Sequence, residues 1–391
     1  MKRLAIVLVL AGCLGPRTGT AQAPAGWSDF NELFRSFVRS DSIVGASALV
    51  MRDGRVLSRV DVGFADRARG VRVDSSTLFH WGSITKGLTA ISIMQLRDRG
   101  KLTLADHVVD YIPELRQVHD PYGSIDSVTI RMLLSHTAGF QNPTWPYGNG
   151  YDWEPFEPTR WEQLVAMLPY QQILFKPGTR YSYSNPAFIY LARIIEKLTG
   201  DAWESYVQKN IFAPLGLTRS YFRATPYHLA AHRSHNYTVA RDSATQELRI
   251  IDHGADFDPG VTIPNGGWNA PLSDLARYTA FLMNAALHDG TEAWYETVLA
   301  RSSLEEMWQP VQPMSQGYQA DADQWMGLSF FINGTGVHRV LGHTGHQAGF
   351  GSFFFFNPRT RLAVIAAYNT SNPDAGDAES RIQQAAINLV R

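Results

Sequence analysis

Ser83-Ile84-Thr85-Lys86 sets a hydroxyl and an amine three positions apart, on one face of the chain if the segment is helical. The lysine can then accept or relay the serine proton, and a helix N-terminus favours the negative charge that develops during attack. That is the chemistry of an acylatable serine. Alone the pattern is weak, because Ser-x-x-Lys arises by chance roughly once or twice in a chain of this length. Its weight depends on partners. Tyr183-Ser184-Asn185 follows the turn-forming Phe175-Lys176-Pro177-Gly178-Thr179 and precedes Pro186, a residue favoured at the first position of a helix. Tyr183 can bring a phenolic oxygen to Ser83 and Lys86, and Asn185 can donate to a substrate carbonyl. The plainer alternative makes Asn185 the cap of that helix. Tyr147-Gly148-Asn149 repeats the spacing within a loop of Gly, Pro and Trp, a poorer support for a general base. A third group, His343-Thr344-Gly345, follows the apolar Val340-Leu341. His343 and Thr344 can meet a substrate from a sheet edge, and Gly345 permits close backbone approach. The N–H of His346, with that of Ser83, would form an oxyanion hole. Its alternative is a histidine-bearing turn between two strands.

The elements that must position these groups are legible as patterns. Residues 27 to 40 carry apolar side chains at helical spacing, and Ile43 to Met51, Arg52-Asp53-Gly54 and Arg55 to Phe64 read as a β-hairpin. After Phe79-His80-Trp81-Gly82 the period turns helical through Leu96 and stops at Gly100. From Leu102 to Leu304 the pattern is mainly helical with long loops, and helices are expected at Trp161 to Leu168, Pro186 to Leu198, Trp203 to Ile211, Ser273 to Leu287 and Ser303 to Trp308. Strand character returns in Val340-Leu341, Ala348 to Phe356 and Leu362 to Asn369, and a helix from Asp377 to Val390 closes the chain. The expected fold is α+β, with one antiparallel sheet built from both chain ends, flanked by helices and carrying an inserted helical lobe. The sheet lobe would span about 24–100 and 320–391, the helical lobe about 101–319, with a cleft between them.

Composition narrows the function classes. The 391 residues are 45% hydrophobic and 12% aromatic, with a formal net charge of −1, which supports a large core and offers no electrostatic track for nucleic acid. Lys2 and Arg3 precede an apolar run from Leu4 to Leu10, so residues 1–23 read as an export signal. Two processing sites compete: Leu10-Ala11-Gly12-Cys13 resembles a bacterial lipobox, and Ala21-Gln22-Ala23 suits an ordinary signal peptidase. Export to the periplasm or cell envelope is expected, with membrane attachment only through a lipid on Cys13. Cys13 is the single cysteine, so the mature domain holds no intramolecular disulfide and no thiol nucleophile.

Taken together, the three motifs resemble the penicillin-recognising serine hydrolases, a family that includes class C β-lactamases, penicillin-binding D-Ala-D-Ala carboxypeptidases, D-aminopeptidases and β-lactamase-like esterases. The order Ser-x-x-Lys, Tyr-x-Asn, Lys/His-Thr/Ser-Gly is the family's. Phe79 to Lys86, Leu133-Leu134-Ser135-His136-Thr137-Ala138-Gly139-Phe140, Gly266 to Ala276 and Gly342 to Gly345 also look like family segments. The resemblance implies a β-lactamase/transpeptidase-like fold, no metal or cofactor, and an acyl-enzyme formed at Ser83 while Lys86 and Tyr183 move the proton. One departure matters. The third motif begins with histidine where penicillin-hydrolysing branches carry a lysine that binds the substrate carboxylate. A histidine is mostly neutral at pH 7, which shifts the expected substrate from a β-lactam toward a small ester or peptide amide. The alternative is a catalytically silent binding or sensing protein of the cell envelope on the same scaffold.

Other features carry less. His228, His232 and His235 have a metal-like spacing but lack the glutamate of a zinc-peptidase helix. His136 reads as a loop-stabilising residue. Trp145, Tyr147, Tyr151, Trp153, Phe156 and Trp161 form an aromatic-rich segment that either packs on the helical lobe or walls the cleft.

Overall fold

A computed structural model describes residues 22–391 apart from 124, 141–157, 243, 287–294, 315–322 and 374–375. Cys13, Tyr147, Asn149 and the aromatic residues from Trp145 to Phe156 therefore lie outside the described residues.

The helix Trp27–Ser40 forms because Trp27, Phe30, Phe34, Phe37 and Val38 fall on one stripe, and all five are buried. The chain then turns through Asp53-Gly54, both with positive φ, linking the strands Gly45–Arg52 and Arg55–Asp66. Gly45–Arg52 zips against Leu362–Tyr368, from Ala46 opposite Tyr368 to Arg52 opposite Leu362. The two chain ends thus build the centre of one sheet. Among the described residues its nine strands run in the order Val71–Arg72, Arg55–Asp66, Gly45–Arg52, Leu362–Tyr368, Phe350–Asn357, Val340–Gln347, Phe331–Asn333, Gln324–Met326 and Gln312–Pro313. All neighbouring pairs are antiparallel.

Both faces of the sheet are covered, which is why Phe353-Phe354-Phe355-Phe356 is apolar without a break. Phe353 and Phe355 join Ala46, Ala48 and Val50 under the N-terminal helix and the closing helix Ala378–Val390. Phe354 and Phe356, with Leu49 and Met51, face the larger helical layer. The centre of that layer is the helix Lys86–Asp98, buried at every residue from Lys86 to Leu96. A helix enclosed on all sides needs no polar face.

The centre of the chain departs from the expected pattern. It carries strands as well as helices: Leu78–His80 pairs Asn269–Pro271, and Tyr237–Arg241 lies between Leu248–Asp252 and Thr370–Ser371. Gln312–Pro313, ahead of residue 320, already joins the main sheet. The helix expected from Ser273 ends at Met283, where Asn284 takes a left-handed conformation. The one expected at Trp203 passes into a π turn at Gln208–Phe212.

Candidate active site

Ser83 sits in a 3₁₀ turn, Gly82–Thr85, that leads into the helix at Lys86. The one-turn spacing of serine and lysine survives, although the serine precedes the α-helix proper. This turn is bolted in place. Trp81 N donates to Trp268 O at 2.8 Å and its indole Nε1 to Ala270 O at 2.9 Å. Thr85 Oγ1 donates to Gly82 O at 2.6 Å and accepts from Trp268 N at 3.0 Å. Gly82 has φ +50, and a β-carbon there would lie 2.8 Å from His346 N, so close approach and backbone conformation both call for glycine.

Lys86 is fully buried, and its Nζ has three neighbours: Ser83 Oγ at 2.9 Å, Asn185 Oδ1 at 2.8 Å and Asn265 O at 2.8 Å. The ring faces of Tyr183 and Phe188 lie 4.9 and 5.7 Å away. Desolvation therefore holds the Lys86 amine well below the usual lysine range.

Tyr183 and Asn185 arrive at the N-terminus of the helix Asn185–Thr199, and Ser184 is its cap, accepting from Ala187 N. Asn185 as cap, the plainer expectation, is thereby corrected. With Ser184 capping, the Asn185 side chain turns inward to Lys86, where it also accepts from Asn265 Nδ2 at 3.2 Å. The Tyr183 hydroxyl is buried without a hydrogen bond of full geometry. Burial pushes its pKa far above the ordinary phenol value, with Ser83 acting in the opposite direction. Tyr183 is accordingly a neutral phenol facing the serine.

His136 holds this corner together. Its backbone has φ +57, its carbonyl accepts from Ser182 N, and its Nδ1 accepts from Ser184 N at 3.0 Å. Its ring stacks on Tyr183 at 4.4 Å between centroids. Burial, with Lys86 and His343 nearby, keeps it neutral, so the Nε2 carries the proton.

His343, Thr344, Gly345 and His346 lie within one strand, Val340–Gln347, and not in a turn. Phe331–Asn333 pairs only as far as Gly342, so beyond Gly342 no described strand flanks that edge. Gly345 abuts the serine turn closely: a β-carbon there would sit 2.0 Å from Trp81 O. The Ser352 hydroxyl ties the two by donating to Trp81 O at 3.0 Å. These contacts bring the His346 nitrogen against Gly82, the residue before Ser83. The His343 side chain was expected to meet substrate; instead it is 2% exposed, stacked on Phe331 at 4.3 Å, with Nδ1 donating to Thr344 O. Strand alternation turns it into the helical layer, and Thr344 and His346 to the other face. Burial, with Lys86 nearby, lowers its pKa to about 3.

Asn265 escaped the sequence reading. It contributes a main-chain carbonyl, which no side-chain motif reports, and Thr89 Oγ1 fixes the segment by donating to Pro264 O at 2.6 Å. Of the three spaced histidines, His235 pairs with Asp252 and Asp66.

The family model described as Beta-lactamase matches residues 30–388. The chain belongs to the Beta-lactamase family. Within it, the chain is 30% identical over 197 residues to the putative penicillin-binding protein PbpX of Bacillus subtilis (strain 168), covering 50% of this chain and 46% of that one. It is 24% identical over 338 residues to Protein flp of Staphylococcus aureus (strain COL), covering 84% of this chain and 60% of that one. The chain thus spans about half to three fifths of these relatives. Among solved structures, the octameric penicillin-binding protein homologue from Pyrococcus abyssi superposes with TM-score 0.71 at 25% identity, covering 88% of this chain and 74% of that one. A D-stereospecific amidohydrolase from Streptomyces sp. shares the fold with TM-score 0.70 at 24% identity, covering 92% and 98%. The Beta-lactamase fold thus accounts for the sheet built from both chain ends, and the chain is placed in the superfamily of β-lactamase- and penicillin-binding-protein-like serine hydrolases.

Proposed function

We propose that this protein is an exported serine hydrolase that forms an acyl-enzyme at Ser83 and hydrolyses a small ester or amide. The carrying observation is the set of neighbours around Lys86 Nζ. Asn185 Oδ1 and Asn265 O only accept. A neutral amine spends its two N–H groups on them and leaves its lone pair facing Ser83 Oγ at 2.9 Å. Lys86 then takes the serine proton as Oγ bonds to the substrate carbonyl carbon, and the electron pair moves onto the carbonyl oxygen, received by the amides of Ser83 and His346. As the tetrahedral intermediate collapses, the proton passes from Lys86 through the Tyr183 hydroxyl to the leaving group. Water, activated by the same pair, releases the acyl group.

His343 sharpens the substrate class. A buried neutral ring supplies no fixed positive charge for a penicillin carboxylate, which favours esters or D-amino-acid amides over β-lactams. The names of the penicillin-binding relatives and of the D-stereospecific amidohydrolase keep D-peptides among the candidates.

Intact mass after exposure to a fluorophosphonate tests the reading: one adduct is expected, lost in Ser83→Ala. No adduct on the folded protein with any acylating probe would leave the silent binding protein as the better account. Rates on p-nitrophenyl esters, nitrocefin and D-Ala peptides rank the substrate classes. No described helix is long and apolar enough to cross a membrane; membrane attachment is proposed to run through a lipid on Cys13. Cys13→Ser should release the protein from the membrane fraction, and an unchanged distribution would discard the lipid.

A further inference from the structure

His346 touches both layers of the molecule. Its backbone adjoins Gly82, next to the nucleophile. Its side chain leaves the opposite face of the sheet, where Nε2 lies 2.5 Å from Glu379 Oε1 and 3.3 Å from the Tyr368 hydroxyl. Glu379 stands in the first turn of the closing helix Ala378–Val390, and Tyr368 ends the strand Leu362–Tyr368. Gln383 Nε2 donates to the same carboxylate at 2.7 Å. Burial raises the Glu379 pKa, but bonds from His346, Tyr368 and Gln383 outweigh it and hold the carboxyl below its usual range. A carboxylate only accepts, so His346 Nε2 carries the shared proton.

The His346 side chain is 50% exposed, and a pair at that exposure adds little to stability. Its location gives it another role. Among the described residues the strand is paired by another strand on one side only beyond Gly342, and the hairpin turn at Ala348-Gly349, both with positive φ, follows it at once. An oxyanion donor must nevertheless be held within about 0.5 Å of its working position. We propose that Glu379, with Tyr368, clamps the His346 side chain and so positions the His346 N–H beside that of Ser83. By this device the closing helix takes part in oxyanion stabilisation from across the sheet. His346 acts through its backbone, and Glu379 is a positioning residue that never meets substrate. The inference rests on the acyl-enzyme reading.

The test uses a small arylboronic acid, whose boron accepts the Ser83 oxygen and places a tetrahedral oxygen in the same hole. Glu379→Ala is expected to lower kcat on a p-nitrophenyl ester about tenfold with KM within about twofold, and to weaken boronate binding by a similar factor, since losing a donor outright costs about 10²–10³. His346→Ala keeps the amide and should match it, with the double variant no worse than either single change. Glu379→Gln retains a hydrogen-bonding side chain and should recover most of the loss. Unchanged kcat and boronate affinity in Glu379→Ala, or losses that add in the double variant, would overturn the clamp alone. A wild-type protein that takes no fluorophosphonate overturns the acyl-enzyme reading and the clamp with it.

Discussion

A lysine must be uncharged to take a proton from a serine, and the burial of Lys86 moves it in that direction. Complete burial leaves the ammonium without its hydration, and this desolvation lowers its pKa even though two obligate acceptors and two aromatic faces favour the charged form. The sign of the pH dependence follows. Acylation should rise with pH as Lys86 loses its proton and reach its plateau well below the ordinary lysine range, which a stopped-flow pH profile of ester acylation would trace. Lys86→Arg preserves a long cationic side chain but stays protonated, so it should lose at least ~10²-fold in acylation, as should Lys86→Ala. Tyr183→Phe should also cost at least ~10²-fold with the fold intact, because it removes the relay hydroxyl and no buried charge. Near-normal turnover in Tyr183→Phe would make Lys86 the sole proton carrier.

Between residues and fold stand the elements that press the site together. Gly345 is the tightest point, because its Cα faces Trp81 O with no space for a methyl group. Gly345→Ala should push the strand from the serine turn and lower kcat by at least ~10²-fold, measured on an ester together with a thermal melt showing that most of the protein stays folded. Ser184→Ala should cost about 1 kcal/mol as a lost N-cap, read from urea unfolding, and should slow acylation by loosening Asn185. The elements were legible wherever apolar spacing was strong: Trp27–Ser40, the hairpin at Asp53-Gly54, the strand Leu362–Tyr368 and the closing helix all lie within a residue or two of their expected limits. The order of Ser83, Tyr183 and His343 was legible too, because short motifs are local. Choices between neighbours were not. Whether Ser184 or Asn185 caps the helix, and which face His343 takes, depend on packing partners far away in sequence. Asn265 O and the reach of Glu379 to His346 are contacts that no spacing announces.

At the scale of the whole molecule, a sheet assembled from the two chain ends encloses polar groups that the unfolded chain would leave in water. Three of these are histidines. Burial, with Arg233 nearby, holds His80 at about 4; burial, with Lys86 nearby, holds His343 at about 3; and His136 lies well below 6.5. Because each folded pKa is below the unfolded value, the cost is absent above about pH 6.5 and grows as pH falls, where the unfolded chain takes up protons that the fold refuses. Each ring contributes roughly 1 kcal/mol per pH unit. Glu379, Glu306 and Asp106, held low by their partners, begin to matter only as pH approaches the unfolded carboxylate values near 4. Asp41 and Asp274, held high by burial, act in the opposite direction. Between pH 6.5 and 5 the histidines therefore dominate. Urea unfolding should lose stability steadily across that window, with a net uptake of about two to three protons on unfolding near pH 5. Replacing His343 by Phe, an aromatic ring that cannot titrate, should remove about one proton of that uptake. Stability that stays flat from pH 7 to 5 would mean that these rings are charged in the fold, and the neutral His343 on which the substrate argument rests would fall with it.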